Sequence, residues 1–459
     1  MKKLFIFIVL SVLSKVASAE SVEVNGVFYN LVPKAKIAEV TGNPNGYEGE
    51  LTIPSKIIYE SVEYSVNSIG DQAFYKCQKL IKVDISESVS SIGEYAFSLC
   101  QSLVSVRIPN SVTSIGVGAF SYCTSLETVE IPEGVTTIHY DAFYRCSKLS
   151  TVYLPSSLES IGGASFYECN NLKELHIKDL ASWCHLKTSG TSWNPLSYAH
   201  HLYIENQEIK ELILPESVTY ICEGAFCGGL FESVFINDGV KEIKSYAFAD
   251  CNGITSIVLP NSVTDLGLSI FSGCKKLENI TLSNGLTTIY GSSLYGSGSF
   301  AGCPKLKGIV IPEGVTSIGY RAFAYCKALE YVVIPETVNQ IDGFAFEDCE
   351  NLSDVYCYNR DVPSTSANAF DNSYPEYITL HVPLLSEETY KMTSPWDKFK
   401  SIVAIKEDDP NTTGILNISD NKCADQYFDM KGNRITKLQK GINIIRTRNG
   451  ETKKIISRR

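Results

Sequence analysis

The chain is short of the residues that most often do chemistry. Its 459 residues include six histidines, three tryptophans and three methionines. It has no Cys-x-x-Cys pair, no His-Glu-x-x-His run, no glycine-rich phosphate loop and no nucleophile elbow. Zinc binding, metallopeptidase chemistry, nucleotide binding and acyl transfer each depend on one of those spacings. Positive charge is also lacking. The net charge of −11 opposes the basic face that a nucleic-acid binder presents. After the first residues no apolar run is long enough to span a bilayer. These absences predict no enzyme, no metal or other cofactor, no nucleic-acid partner and no membrane span.

A period dominates what is present. Ile69-Gly70, Ala73-Phe74, Cys77, Leu80, Val83 and Ile85 define a unit that returns at Ile92, Ile115, Ile138 and Ile161, always 23 residues on. A second block starts at Ile221 and continues at Ile243, Leu266, Ile289, Ile318 and Ile341, with steps of 22, 23, 23, 29 and 23. The long step contains the glycine- and serine-rich run Gly291 to Ser299, which reads as a looped-out insertion. Spaced aliphatics at this period predict a mainly β repeat solenoid of the leucine-rich type, with a parallel sheet on one face. One coil buries too little apolar surface to fold alone. Stacked coils complete a common core. Within a coil, Val106-Arg107-Ile108 alternates in, out, in, and Pro109 ends the strand because it has no N–H for the ladder.

The fifteen cysteines follow the same period. Cys77, Cys100, Cys123, Cys146 and Cys169 occupy one repeat position, as do Cys251, Cys274, Cys303, Cys326 and Cys349. That pattern predicts a buried ladder of free thiols rather than disulfides, because parallel side chains on stacked coils are poorly aimed for a disulfide dihedral. Cys222 and Cys227 lie in one irregular coil and are the candidates for a bridge. The adjacent His200 and His201 are a candidate metal pair, but no converging partners are evident, and a surface loop explains them as well.

The unit Ile-Gly-x-x-Ala-Phe-x-x-Cys-x-x-Leu-x-x-Val-x-Ile-Pro, over about residues 60 to 406, resembles the BspA-like leucine-rich repeats of bacterial surface proteins. That resemblance implies adhesion to an extracellular or host protein and implies no catalytic residues. Residues 427–434, 440–445 and 453–456 resemble the C-terminal modules of exported Bacteroidetes proteins, some of which are sorting signals.

The expected organisation has eight parts. Residues 1–19 have a lysine start, an apolar stretch and Ala17-Ser18-Ala19, and read as a signal peptide. Residues 20–68 form an N-terminal cap, opening with a hairpin turned at Asn25-Gly26. The repeat blocks are 69–177 and 213–357, separated by an insertion at 178–212 that holds Trp183 and Trp193, expected to pack rather than to project. A cap at 358–406 is sealed by Trp396 and Phe399. A polar linker spans 407–414, and a β module of 415–459 ends the chain. Residues 431–459 carry ten basic side chains and one acidic one, whereas residues 20–430 carry 27 and 50. Export to the cell surface or the medium is expected, with the periplasm as the other destination.

The outward position of each strand runs Asp84, Arg107, Glu130, Tyr153, His176, Phe235, Val258, Thr281, Val310, Val333 and Tyr356, with Glu174 and Tyr331 in the neighbouring column. It begins charged and becomes aromatic and aliphatic. An exposed strip of that kind exceeds what solubility needs. Tyr153, His176, Phe235, Tyr331 and Tyr356 are therefore the candidate ligand-binding residues, on a face suited to a protein partner. A glycan taken up at the surface is the second reading and a structural envelope role the third. The bland account is that aromatic and β-branched residues favour strands.

Overall fold

A computed structural model describes residues 21–188, 192–292 and 298–405, together with the backbone of four strands between 426 and 457. The expected leader, the linker and Cys423 lie outside the described residues. The chain winds into a mainly β solenoid of about fourteen turns.

Each coil has three sides. One is the Val-x-Ile strand, as in Thr128–Glu130 and Thr151–Tyr153, paired parallel as Val129 to Val152. A second is the short strand before the glycine. Here Ile69, Ile92, Ile115, Ile138 and Ile161 align coil to coil. The third side is the Ala-Phe turn. Two residues four apart adopt positive φ in this turn, as at Gln72 (57°) and Lys76 (61°) and again at Asp141 (57°) and Arg145 (59°). This alternation points every second N–H along the solenoid axis. Gln72, Phe74 and Lys76 thereby donate to the carbonyls of Glu94, Ala96 and Ser98 in the next coil at 2.9, 2.7 and 2.9 Å. A left-handed conformation costs an L-residue about 1–2 kcal/mol, and the inter-coil bonds offset it.

The glycine after the short strand is required by proximity. A Cβ on Gly116 would lie 2.6 Å from the backbone nitrogen of Glu94 in the preceding coil.

Inside, the phenylalanines form two runs of stacked rings. Phe74, Phe97, Phe120, Phe143 and Phe166 stack with centroids 4.7–5.4 Å apart. Phe226, Phe248, Phe271, Phe300, Phe323, Phe346 and Phe370 follow at 5.1–5.8 Å. Tyr47 closes the N-terminal end against Phe74 at 4.8 Å. Trp396 and Phe399 close the other end, both edge-on to Phe370.

The cysteine ladder is built as its period implies. The described cysteines are free thiols, and all but Cys227 are buried. Cys222 and Cys227 are unbridged. The Cys222 thiol turns inward to the carbonyl of Trp183, while Cys227 sits half-buried in the turn after Phe226.

The N-terminal segment does more than cover an end. Its hairpins, Ser21–Val24 with Val27–Val32 and Lys56–Tyr59 with Val62–Ile69, are antiparallel. Ile37–Thr41 pairs parallel to Val62–Ile69, and Glu48–Ile53 pairs parallel to Lys79–Ile85, so both sheets begin here.

Residues 178–212 continue the stacking too. Lys187–Thr188 joins the short-strand ladder and His201–Ile204 the long one, and a helix, Leu180–Cys184, connects the long strand Glu174–Ile177 to Lys187–Thr188. Trp183 and Trp193 are buried against each other at 5.4 Å. The Trp183 indole donates to Ala225 O at 2.9 Å and the Asn194 amide to Gly224 O at 2.6 Å, fastening the first block to the second. The insertion in the 29-residue step is pinched off by a bridge between Gly291 and Gly298, and Phe300 rejoins the stack. The C-terminal strands Gln426–Asp429, Arg434–Ile435, Gly441–Arg446 and Thr452–Ser457 form an antiparallel sheet.

Candidate binding face

The long-strand ladder fixes which side chains share a face. Because strands pair in register, equivalent residues lie side by side, about 4.8 Å apart. Glu130 pairs with Tyr153, Tyr153 with His176, and His176 with Tyr203. Farther along, Val333 pairs with Tyr356 and Tyr356 with His381.

Two ring clusters result. In the first, the rings of Tyr153 and His176 stack at 4.3 Å, and those of His176 and Tyr203 at 4.7 Å. His176 donates from Nε2 to Glu174 Oε2 at 3.2 Å. Burial and the carboxylates of Glu174 and Glu208 raise the Tyr203 phenol above its ordinary pKa, so the hydroxyl stays a donor. In the second cluster, Tyr356 stacks on His381 at 4.2 Å, and His381 donates from Nε2 to Asp354 Oδ1 at 2.9 Å. Tyr331 pairs across the sheet with Asp354. On its other side Tyr331 pairs with Gly308, over which its ring lies.

The structure thus stacks Tyr153 on His176 and places Tyr331 and Tyr356 on neighbouring strands, two residues out of register. Phe235 stands apart from both. It forms a small apolar cluster with Val258 and Ile213. The strip is also less open than its sequence suggests. Phe235 is 8% exposed, Tyr356 4% and His176 9%. Strand spacing is close enough for neighbouring rings and branched side chains to cover one another, so an outward position is not an exposed one. Tyr153, Tyr203 and Tyr331 keep intermediate exposure.

Tyr203 and His381 escape a reading based on period. They follow His176 and Tyr356 by 27 and 25 residues, so stepping by 23 misses them. The usable signal is the strand pattern, His201-Leu202-Tyr203-Ile204 and Thr379-Leu380-His381-Val382, with the polar or aromatic residue between two aliphatics. His200 and His201 take separate partners. His200 donates to Gly228 O at 2.8 Å and His201 to Glu208 Oε1 at 2.6 Å. Among the described residues no three His, Cys, Asp or Glu side chains group as a metal site.

The family model described as the BspA type leucine-rich repeat region matches six copies, over residues 59–183, 200–299 and 295–393. The chain belongs to that family. As a BspA-type repeat protein it is also similar to solved structures. One is a leucine-rich cell surface protein from Faecalibacterium prausnitzii, 27% identical, covering 77% of this chain and 98% of that one, with a TM-score of 0.45. Another is a leucine-rich repeat protein from Bacteroides ovatus, 26% identical, covering 73% and 94%, with a TM-score of 0.47. The pneumococcal vaccine antigen PcpA is 18% identical, covering 85% and 99%, with a TM-score of 0.46. No curated protein matches the chain. No helix among the described residues is long and apolar enough to cross a membrane.

Proposed function

We propose that this BspA-type repeat chain is a non-catalytic recognition protein, exported to the cell surface or the medium. In this reading it binds an extracellular protein through the long-strand face, with Tyr153 and Tyr203, braced by the buried His176, at one contact and Tyr331 and His381, braced by the buried Tyr356, at another. The observation that carries the reading is the three-ring stack Tyr153–His176–Tyr203, held in register by the sheet and anchored by Glu174. Rings locked by stacking lose little rotamer freedom on binding, which is what a contact surface for a protein requires. Solenoid strand faces serve as extended binding surfaces.

A protein suits this face better than a glycan does. A sugar stacks on the open face of an aromatic ring, but both faces of His176 and one of Tyr356 are taken by their neighbours. The test is to screen the purified chain against purified extracellular proteins and glycans, alongside a Tyr153→Ala/Tyr203→Ala variant. A protein ligand lost in the variant supports the reading. A ligand held equally by both, or a glycan alone, removes it.

A further inference from the structure

None of the eight exposed tyrosines among the described residues is on the strand face, and Tyr290, Tyr325, Tyr374 and Tyr377 lie beyond the first block. Tyr75, Tyr95, Tyr140 and Tyr167 are 39%, 37%, 56% and 41% exposed, and all four belong to Ala-Phe turns of the first block. Tyr122 and Tyr144 lie among them, half-buried, and Tyr144 stacks on Tyr167 at 5.9 Å. The core does not need these rings, since the phenylalanine stack already fills it. Exposed aromatics gathered on one side of a fold mark a contact surface.

The turn side also shows what it holds. The guanidinium of Arg145 lies over Tyr122 at 5.5 Å and over Tyr144 at 5.2 Å, and it pairs with Glu168 at 2.9 Å. The second block repeats the arrangement. Arg321 lies over Tyr320 at 5.7 Å and Phe344 at 5.3 Å, and pairs with Glu347 at 3.1 Å. Twice, then, these turns grip a guanidinium between aromatic rings and a carboxylate. In the first block the turns carry Asp71, Glu94, Asp141 and Glu168 against Lys76 and Arg145. Both cations are already engaged, Lys76 over Tyr75 at 5.0 Å. Tyr95, Tyr140 and Tyr167 remain open, with acidic neighbours in excess.

We infer that the turn side of the first block is a second docking surface, and that it takes an arginine-rich polypeptide segment of a partner. Each guanidinium would sit on an open tyrosine face and pair with a turn carboxylate, as Arg145 does within the chain. Arginine fits better than lysine because its planar group both stacks and pairs in a fork. This surface is separate from the strand face, so the proposal stands or falls independently of the function proposed above.

The experiment titrates the full chain with a short oligo-arginine peptide and, in parallel, oligo-lysine of the same length. A Tyr95→Ser/Tyr167→Ser variant, a Glu94→Gln/Asp141→Asn variant and the strand-face variant Tyr153→Ala accompany it. Circular dichroism checks that each is folded. The expected result is saturable binding of oligo-arginine, weakened roughly tenfold by the tyrosine pair. It should weaken also with the carboxylate pair, stay unchanged with Tyr153→Ala, and exceed oligo-lysine binding. No binding, equal binding of oligo-lysine, or indifference to the tyrosine pair would overturn the proposal. The last two outcomes would show attraction to an acidic body and nothing more.

Discussion

The thiol of Cys123 donates to the backbone carbonyl of Phe97, one coil earlier, at 3.1 Å. The same bond joins Cys100 to Phe74, Cys146 to Phe120, Cys251 to Phe226 and Cys326 to Phe300. The Phe97 carbonyl also accepts the Cys100 N–H. The repeated cysteine is therefore a fastener between coils, small enough for the core and able to donate to its neighbour's turn.

Replacing Cys123 by alanine removes that donor and leaves a small void. The expected cost is about 1–3 kcal/mol, read as a fall in the urea midpoint. The same change at Cys227, which is half-buried and outside the ladder, should cost less. Equal losses at the two sites would refute the fastener role.

Alkaline pH should loosen the molecule. Burial pushes the Cys123 and Cys274 thiols up to about 12, and other ladder thiols rise for the same reason. Unfolded thiols titrate near 8.5. A folded pKa above the unfolded one means that the folded chain holds more protons in between. Stability from these groups is complete below about pH 8.5 and falls as pH climbs toward 12. Urea midpoints should be level from about pH 6 to 8 and drop steeply above pH 9. Alkylating reagents should leave the ladder thiols of the folded chain unmodified at pH 8, because the reactive thiolate is suppressed.

Two backbone substitutions should act in opposite directions. Gly116→Ala places a Cβ 2.6 Å from Glu94 N, forces coils apart and should cost more than about 3 kcal/mol. Gln72→Gly relieves an exposed residue held at φ 57° and should gain about 0.5 kcal/mol net of the entropy added to the unfolded chain. Gly118 and Gly224 already occupy the equivalent turn position at positive φ. Thermal or urea unfolding of the two variants checks both signs.

Trp193→Ala should uncouple the two repeat blocks. The indole is buried in the coil that joins them, and its loss should cost about 3–5 kcal/mol locally. In a solenoid, stability is a sum of nearest-neighbour terms, so weakening one interface splits the transition. Unfolding in two steps where the parent shows one is the expected outcome. A single transition at a lower midpoint would mean that Trp183 and Asn194 suffice to keep the blocks coupled.

Much of this architecture was legible in order of residues alone. The 23-residue period names the core positions directly, because each coil must present the same apolar set to its neighbours. Ile115, Ala119, Phe120, Cys123, Leu126 and Val129 are all fully or almost fully buried. The hairpin at Asn25-Gly26 and the sealing role of Trp396 and Phe399 are local in the same sense, since a turn residue or a terminal aromatic acts where it stands. The candidate face was legible in part. Tyr153 and His176 lie one period apart and their contact follows from it, whereas Tyr203 and His381 lie on coils of altered length.

What only the tertiary structure decided is how coils meet. Period gives the column in which a side chain lies, but not how far its neighbours cover it, so the burial of Phe235 and Tyr356 could not be read from alternation. It also gives no backbone angle. The left-handed residues of the Ala-Phe turn hold their conformation because the next coil supplies the carbonyls for their N–H groups. The same turns gather the tyrosines around Arg145, from residues whose spacing in the chain announces no site. Sequence fixes what each coil contributes, and the stacking of coil on coil decides what is covered, what is strained and what is left open to a partner.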